Sequence, residues 1–236
     1  MPISPPLGRA DLHVHPSGDS GTAETVEAMY AALCASGLQV AVLADHDRLD
    51  VAQTLVARAR AERQRIELVV GEEISTSEGH LLGINLRERI APGLSMVAAI
   101  AAVHRQGGLA VVAHPLLPIR VSTPADLLAE LYEGDRRFRP DGLEAMNTRA
   151  ARLPGWRGRV ERLAARYDYA LTGGSDAHAP RAVGSGWTEF PGTDAADLYA
   201  ALRGRQTRPA GRPQSLGHIA RGTLAQFTGG SRSRPQ

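Results

Sequence analysis

The chain has 236 residues, 43% hydrophobic and 22% charged, enough to bury one large α/β core rather than two small ones. Its formal net charge of +2 is unevenly placed: six arginines and no acid follow Gly204, and removing them leaves the first 203 residues at −4, a balance suited to a site holding several cations. The single cysteine, Cys34, excludes an intrachain disulfide and fits a reducing compartment. Met1–Leu7 does not read as a signal peptide, and the longest apolar run, Leu94–Val103, is too short to span a bilayer, so a cytoplasmic protein without membrane contact is expected.

In chain order, Ala10–His15 reads as a strand and Thr22–Ser36 as a helix, with Val26, Met29, Tyr30 and Leu33 on one face and Gly37 as its stop. Leu38–Ala44 is a buried strand, Asp50–Arg65 a helix, and Ile66–Glu73 and His80–Leu86 two further strands. Leu94–Gln106 is helical and Leu109–Ala113 a strand. Thr123 followed by Pro124 opens the next helix as a hydroxyl cap with proline at the first helical position. Gly142–Met146, the helix Gly155–Tyr167, the strand Tyr169–Gly173 and the helix Thr193–Leu202 complete the series. This rhythm implies a parallel sheet, and by itself leaves a closed barrel and an open doubly wound sheet equally open. The expected barrel occupies 1–203. Residues 204–236 form a basic Gly/Arg/Pro-rich tail, with 204–227 weakly ordered and at least 228–236 disordered.

The polar residues fall where strands end. The first strand ends in Asp11-Leu12-His13-Val14-His15 and the second in Asp45-His46-Asp47; the third ends in Glu72-Glu73, and His80 begins the next. His114-Pro115 follows the fifth, and Ser175-Asp176-Ala177-His178 follows the seventh. The C-terminal ends of parallel strands converge on one face, so groups far apart in sequence meet there. His, Asp and Glu in that mixture are ligands for Zn, Mn or Fe. Each piece alone has a bland reading as a turn, a strand terminator or a solvated loop, but together at strand ends they do not. His104, inside a helix, and His218, in the tail, carry no such pattern.

These segments resemble the PHP (polymerase and histidinol phosphatase) domain family: DLHVH at Asp11–His15, ADHD at Ala44–Asp47, GEEIS at Gly71–Ser75, GHLLGI at Gly79–Ile84, AHP at Ala113–Pro115 and GSDAH at Gly174–His178. The resemblance covers about Arg9 to Leu202 and implies a distorted (β/α)7 barrel, TIM-like and of one domain, with two or three divalent metal ions (Mn, Fe or Zn). It implies that His13, His15, Glu73 and Asp176 hold the first ion, that Glu73 bridges to a second held by His80 and His114, and that His46 and His178 serve a third. The family places one further His or Asp ligand five or six residues after the second His of His-x-His. Here the fifth position is Ser20, so either the loop shifts to bring Asp19 in, or the third ion is weakly bound or absent.

The chemistry expected is hydrolysis of a small phosphomonoester or nucleotide, with a hydroxide bridging two ions attacking phosphorus. Asp45 is the candidate general acid, and Arg120, Arg181 and Asn147 are substrate-binding candidates, with Arg149 a further guanidinium on the same face. The expected partner is a small phosphorylated molecule. A histidinol-phosphatase-like activity, and a nucleic-acid-associated accessory role for the arginine-rich tail, are the alternatives. A C–N hydrolase with a lysine between two metals is disfavoured because all 27 basic residues are arginine.

Overall fold

Short apolar strands alternating with one-faced helices bury themselves only as a layered α/β structure, and a computed structural model, which describes residues 6–212, shows how. In order, the elements are β1 (Leu7–Val14), α1 (Ala23–Ala35), β2 (Val40–Leu43), α2 (Asp50–Ala61), β3 (Glu67–Thr76), β4 (Gly79–Ile84), α3 (Met96–Arg105), β5 (Leu109–Val112) and α4 (Ala125–Glu133). There follow β6 (Gly142–Asn147), α5 (Trp156–Tyr167), β7 (Ala170–Gly174), β8 (Gly186–Pro191), α6 (Ala195–Arg203) and β9 (Arg208–Gly211). Helix starts use local chemistry: the side chains of Thr22, Ser95 and Asp194 accept from Thr25 N, Ala98 N and Asp197 N to cap α1, α3 and α6. At α4 the expected hydroxyl cap is absent; Pro124 itself occupies the cap position and Thr123 is buried.

The sheet runs β7-β6-β5-β4-β3-β2-β1-β8-β9. Its first seven strands form the expected distorted barrel, which nearly closes where β7 meets β1. At that seam Asp176 N donates to His13 O at 2.8 Å and His15 N to Ala177 O at 2.9 Å. The expectation of an all-parallel sheet fails at β4, which is antiparallel to both β3 and β5. Only Ser77 and Glu78 separate β3 from β4, a hairpin loop too short for any crossover. Because β4 runs backwards, its first residues lie beside the last residues of its neighbours.

The core is in three parts. Ala10, Leu12, Val40, Val42, Val69, Leu82, Val111 and Ala113 fill the barrel, with Leu198 and Leu202 of α6 packed against them. Outside, α1 and α2 cover one flank over Leu33, Leu43 and Leu55, and α3, α4 and α5 cover the other over Ile100, Leu128 and Trp156.

Two strands were not anticipated. β8 adds antiparallel to β1 and β9 antiparallel to β8, so the sheet continues past residue 203, and the stretch 208–211 is ordered against β8. Pro191, Pro209 and Gly211 gave these segments weak strand character, and Pro209 is accommodated because β9 is an edge. Arg205 and Arg208 are ion-paired to Asp168 and Glu189. The expected disorder of 228–236, and the rest of the tail beyond 212, lie outside the described residues.

His104 on α3 ties that helix to the segment before β6: Nε2 faces Asp141 Oδ2 at 2.9 Å and Nδ1 faces the Arg137 carbonyl at 3.1 Å. Acceptors at both ring nitrogens favour the imidazolium, and the Asp141 bond chiefly holds its pKa above the usual histidine value against partial burial. A raised folded-state pKa contributes stability below the unfolded value that is lost as pH rises through the folded value. The urea midpoint of a His104→Gln variant is therefore expected to fall below that of the wild-type protein at pH 5.5, with the gap closing above pH 8. A gap independent of pH would show that the charge contributes nothing.

Candidate metal centre

His13 and His15 reach the barrel interior through an irregularity in β1. Leu12 packs in the inner core while Val14, two residues on, packs in the outer one, so the alternation changes phase within this stretch. The register with β2 shifts between Asp11 and Val14 accordingly. Close approach of β7 is needed as well: a Cβ on Gly174 would stand 2.5 Å from His13 Cβ and 3.0 Å from Glu144 Oε1. Three non-glycine residues at strand ends here have left-handed backbones, Asp47 (φ 51°), His114 (φ 28°) and Asp176 (φ 54°), a concentration of strain seen at functional sites.

Glu73 stands at the centre. On β3, Val69 faces the barrel, so the two-residue alternation turns Glu73 inward and Glu72 out, where it accepts from Ile90 N at 2.9 Å. Oε2 of Glu73 lies 3.1 Å from His13 Nε2, 3.2 Å from His15 Nε2 and 3.4 Å from His46 Nδ1. Its Oε1 lies 2.7 Å from His80 Nδ1 and 3.0 Å from His114 Nε2. Asp176 forms a second focus, its Oδ1 at 3.3 Å from His15 Nε2, 3.4 Å from His178 Nδ1 and 3.7 Å from His13 Nε2. Six imidazoles and two carboxylates, drawn from residues 13 to 178, thus meet in one place. His80 belongs because β4 is reversed.

Compact sets of potential ligand atoms occur within it: His13, His15 and Asp176; His46, Glu73 and His80; and His15, His46 and His178. His15 Nε2 is buried without a hydrogen-bond partner of its own, as a ring nitrogen aimed at a cation would be. Donor type and convergence fit divalent ions.

The electrostatics point the same way. Burial pushes the Glu73 carboxyl up, but the His13 charge, hydrogen bonds from His114 and His13 and the nearby His15 ring hold it well below the usual range. Asp176 is likewise held low, against burial, by His13, His15 and His178. Burial depresses His13, yet Glu73, Glu144 and Asp176 raise it well above its usual value; His15 rises to about 9 through Asp176 and Glu73, again against burial. His178 falls to about 4, by burial and by the neighbouring His15. The acids remain ionised in a dry setting only because positive charge is gathered around them.

Supporting groups surround this centre. Glu144 Oε1 faces His13 Nδ1 at 3.0 Å, while its Oε2 accepts from His114 N at 2.8 Å and from Asn147 Nδ2 at 3.1 Å. The Asn147 amide also reaches Asp176 Oδ2 at 3.3 Å, and its oxygen caps the backbone of Arg149 and Ala150. Asp11 binds Ser175 N and Gly184 N, joining β1 to the segments beyond β7. Glu144 was not anticipated; the available signal was an acid inside the otherwise apolar strand GLEAMN, a position tolerable only with partners.

Several expected roles do not match the geometry. The Asp45 carboxylate accepts from Ser17 N and from Ser17 Oγ at 2.6 Å, fastening the loop after His15, and is not among the residues lining the cleft. Asp19 is exposed and joins none of the ligand sets. Gly18, at φ 56°, packs so closely on the His178 carbonyl that a Cβ would sit 2.9 Å from it, and this turn carries Asp19 outward. Arg120 and Arg181 are exposed and outside the cleft; Arg149 is the arginine that lines it. Asn147 lines the cleft too, with its amide occupied by protein partners.

Glu144 fixes the ring of His13 from behind, so Glu144→Gln is expected to weaken divalent-cation binding by roughly 10- to 100-fold while the circular dichroism spectrum is unchanged. Titration calorimetry checks this, and undiminished affinity would remove Glu144 from the supporting shell.

A family model described as PHP-associated matches residues 154–207. The uncharacterized protein MJ1587 of Methanocaldococcus jannaschii is 37% identical over 84 residues, 35% of this chain and 47% of that protein, so the match spans about half the length of that relative. The uncharacterized protein MJ0417 of the same organism is 28% identical over 182 residues, 77% of this chain and 70% of its own. Among solved structures, the barrel is similar to PsfC from Pseudomonas syringae (TM-score 0.67, 18% identity, 94% of this chain and 98% of that one). It is also similar to a two-domain protein from Bacteroides vulgatus containing a predicted PHP-like metal-dependent phosphoesterase (TM-score 0.66, 19% identity, 88% and 66%). A third likeness is to a lesion-specific endonuclease from Pyrococcus furiosus (TM-score 0.57, 13% identity, 84% and 56%). The chain thus matches a PHP-associated family model over residues 154–207 and shares the barrel fold of a PHP-like protein.

Proposed function

We propose that this protein is a metal-dependent phosphoesterase acting on a small phosphomonoester. The observation that carries this is the single buried Glu73 carboxylate within 3.4 Å of five imidazoles, at the base of a cleft whose rim carries Arg149. His13, His15, Glu73 and Asp176 would hold one ion, Glu73 with His80 and His114 a second, and His46 with His178 a third beside His15. Such ions, when bound, supply Lewis acidity toward a phosphoryl oxygen and toward water.

The chain's own contribution is placement. Glu144 orients His13, and Asn147 orients Asp176. Arg149, which lines the cleft, would receive phosphoryl oxygens, a guanidinium being suited to forked contacts with them. The cleft, about 240 Å³, suits one phosphoryl group and a compact leaving group. A nucleic-acid substrate is the second reading, resting on the fold shared with the endonuclease; against it, one arginine alone lines the cleft among the described residues.

The Arg149→Ala variant is expected to lose roughly 10- to 100-fold in kcat/KM on a turned-over phosphomonoester, the range of one charge-assisted contact. Arg120→Ala and Arg181→Ala should stay within about twofold. Steady-state kinetics with Mn, Fe or Zn supplied in turn make the test, and absence of hydrolysis under all three metals would refute the proposal.

A further inference from the structure

The segment after His114 forms one wall of the cleft. Leu117, Ile119 and Val121 line it, and Ile119 and Val121 are 51% and 42% exposed. Large apolar side chains are seldom left open to water without a use when they gather at a cleft mouth. This wall is held firmly. Leu116 N donates to Thr123 O at 3.0 Å, Leu117 N to Ser122 Oγ at 2.9 Å, and Ser122 Oγ to the His114 carbonyl at 2.8 Å. His80 N donates to Val121 O at 3.2 Å. The apolar wall is thus fastened to the backbones of His80 and His114, whose imidazoles face Glu73.

The remaining lining decides what the wall can recognise. Apart from the ligand cluster, the cleft is bordered by Leu117, Ile119, Val121, Ala150, Asn147 and Arg149. Both ends of the Asn147 amide are taken by protein groups, and Arg149 suits the phosphoryl group. Among the described residues, no hydroxyl or free amide lines the cleft to receive the hydroxyls of a sugar or polyol. Burying such groups without partners is unfavourable, whereas an apolar surface there gains from the wall.

We infer that the substrate's leaving group is compact and apolar, about the size of a single aromatic ring, and that Ile119 and Val121 determine this specificity. The inference deepens the phosphoesterase reading and rests on it for the position of the phosphoryl group.

The test uses non-hydrolysable phosphonates, so that binding is read apart from turnover. Titration calorimetry of the full-length, Mn-loaded protein should show phenylphosphonate binding on the order of tenfold more tightly than 2-hydroxyethylphosphonate. In an Ile119→Ala/Val121→Ala double variant, that ratio should fall to about one or two through loss of phenylphosphonate affinity. Equal affinities in the wild-type protein, an arm that needs no variant, would overturn the inference, as would a preference that survives the double substitution. Phenyl phosphate turnover, measured in parallel, separates the two claims. Preference without hydrolysis contradicts the phosphoesterase reading and keeps the ligand class; hydrolysis without preference does the reverse.

Discussion

The structure is organised around one buried carboxylate. Glu73 is 1% exposed and lies within 3.4 Å of ring nitrogens from β1, the end of β2, the start of β4 and the end of β5. A carboxylate so far from water stays ionised only if positive charge is held against it. Much of the local geometry follows from that need. The phase change in β1 sends both its histidines inward, Gly174 lets β7 press against His13, and the reversal of β4 delivers His80 to the same end as the others.

Below this charged layer the barrel is conventional, with valine, leucine and alanine from successive strands closed off by α6. Above and around it is a polar frame that has no need of cations. Asp45 holds Ser17, Asp47 holds Ser75, Asp11 holds Ser175 and Gly184, and Glu144 with Asn147 ties β6 to His13, His114 and Asp176. These acids accept from backbone amides and hydroxyls as well as from side chains, which is how they tolerate burial. The same frame fixes the left-handed backbones at Asp47, His114 and Asp176. Any binding of ions at this cluster would therefore be coupled to the rigidity of the barrel mouth.

The strands and helices were legible in the sequence because their signals are local, whereas the barrel itself was expected only from the family resemblance. Strands such as VAVL and LAVV are short apolar runs, and helices such as Trp156–Tyr167 show one apolar face. The convergence of the histidines could be read too, since it needs only strand ends on a common face. What escaped depends on pairing at a distance. The direction of β4 is set by a two-residue loop, β8 and β9 exist because β1 offers an open edge, and the role of Glu144 depends on which way β6 faces. Asp45 and Asp19 show the converse: residues of suitable type beside a motif, drawn elsewhere by Ser17 and by the Gly18 turn. Among arginines, nearness to a strand end in sequence did not distinguish Arg120 and Arg181, which face solvent, from Arg149, which faces the cleft.

The central claim, that Glu73 anchors a shared cation site, is tested most directly by measuring bound metal per chain in the purified wild-type protein and in Glu73→Gln, by plasma mass spectrometry. Two or more equivalents of Mn, Fe or Zn are expected in the wild-type protein, with at least one lost on the substitution. A wild-type protein that neither carries nor takes up divalent metal, or a Glu73→Gln variant that retains the full complement, would contradict the account.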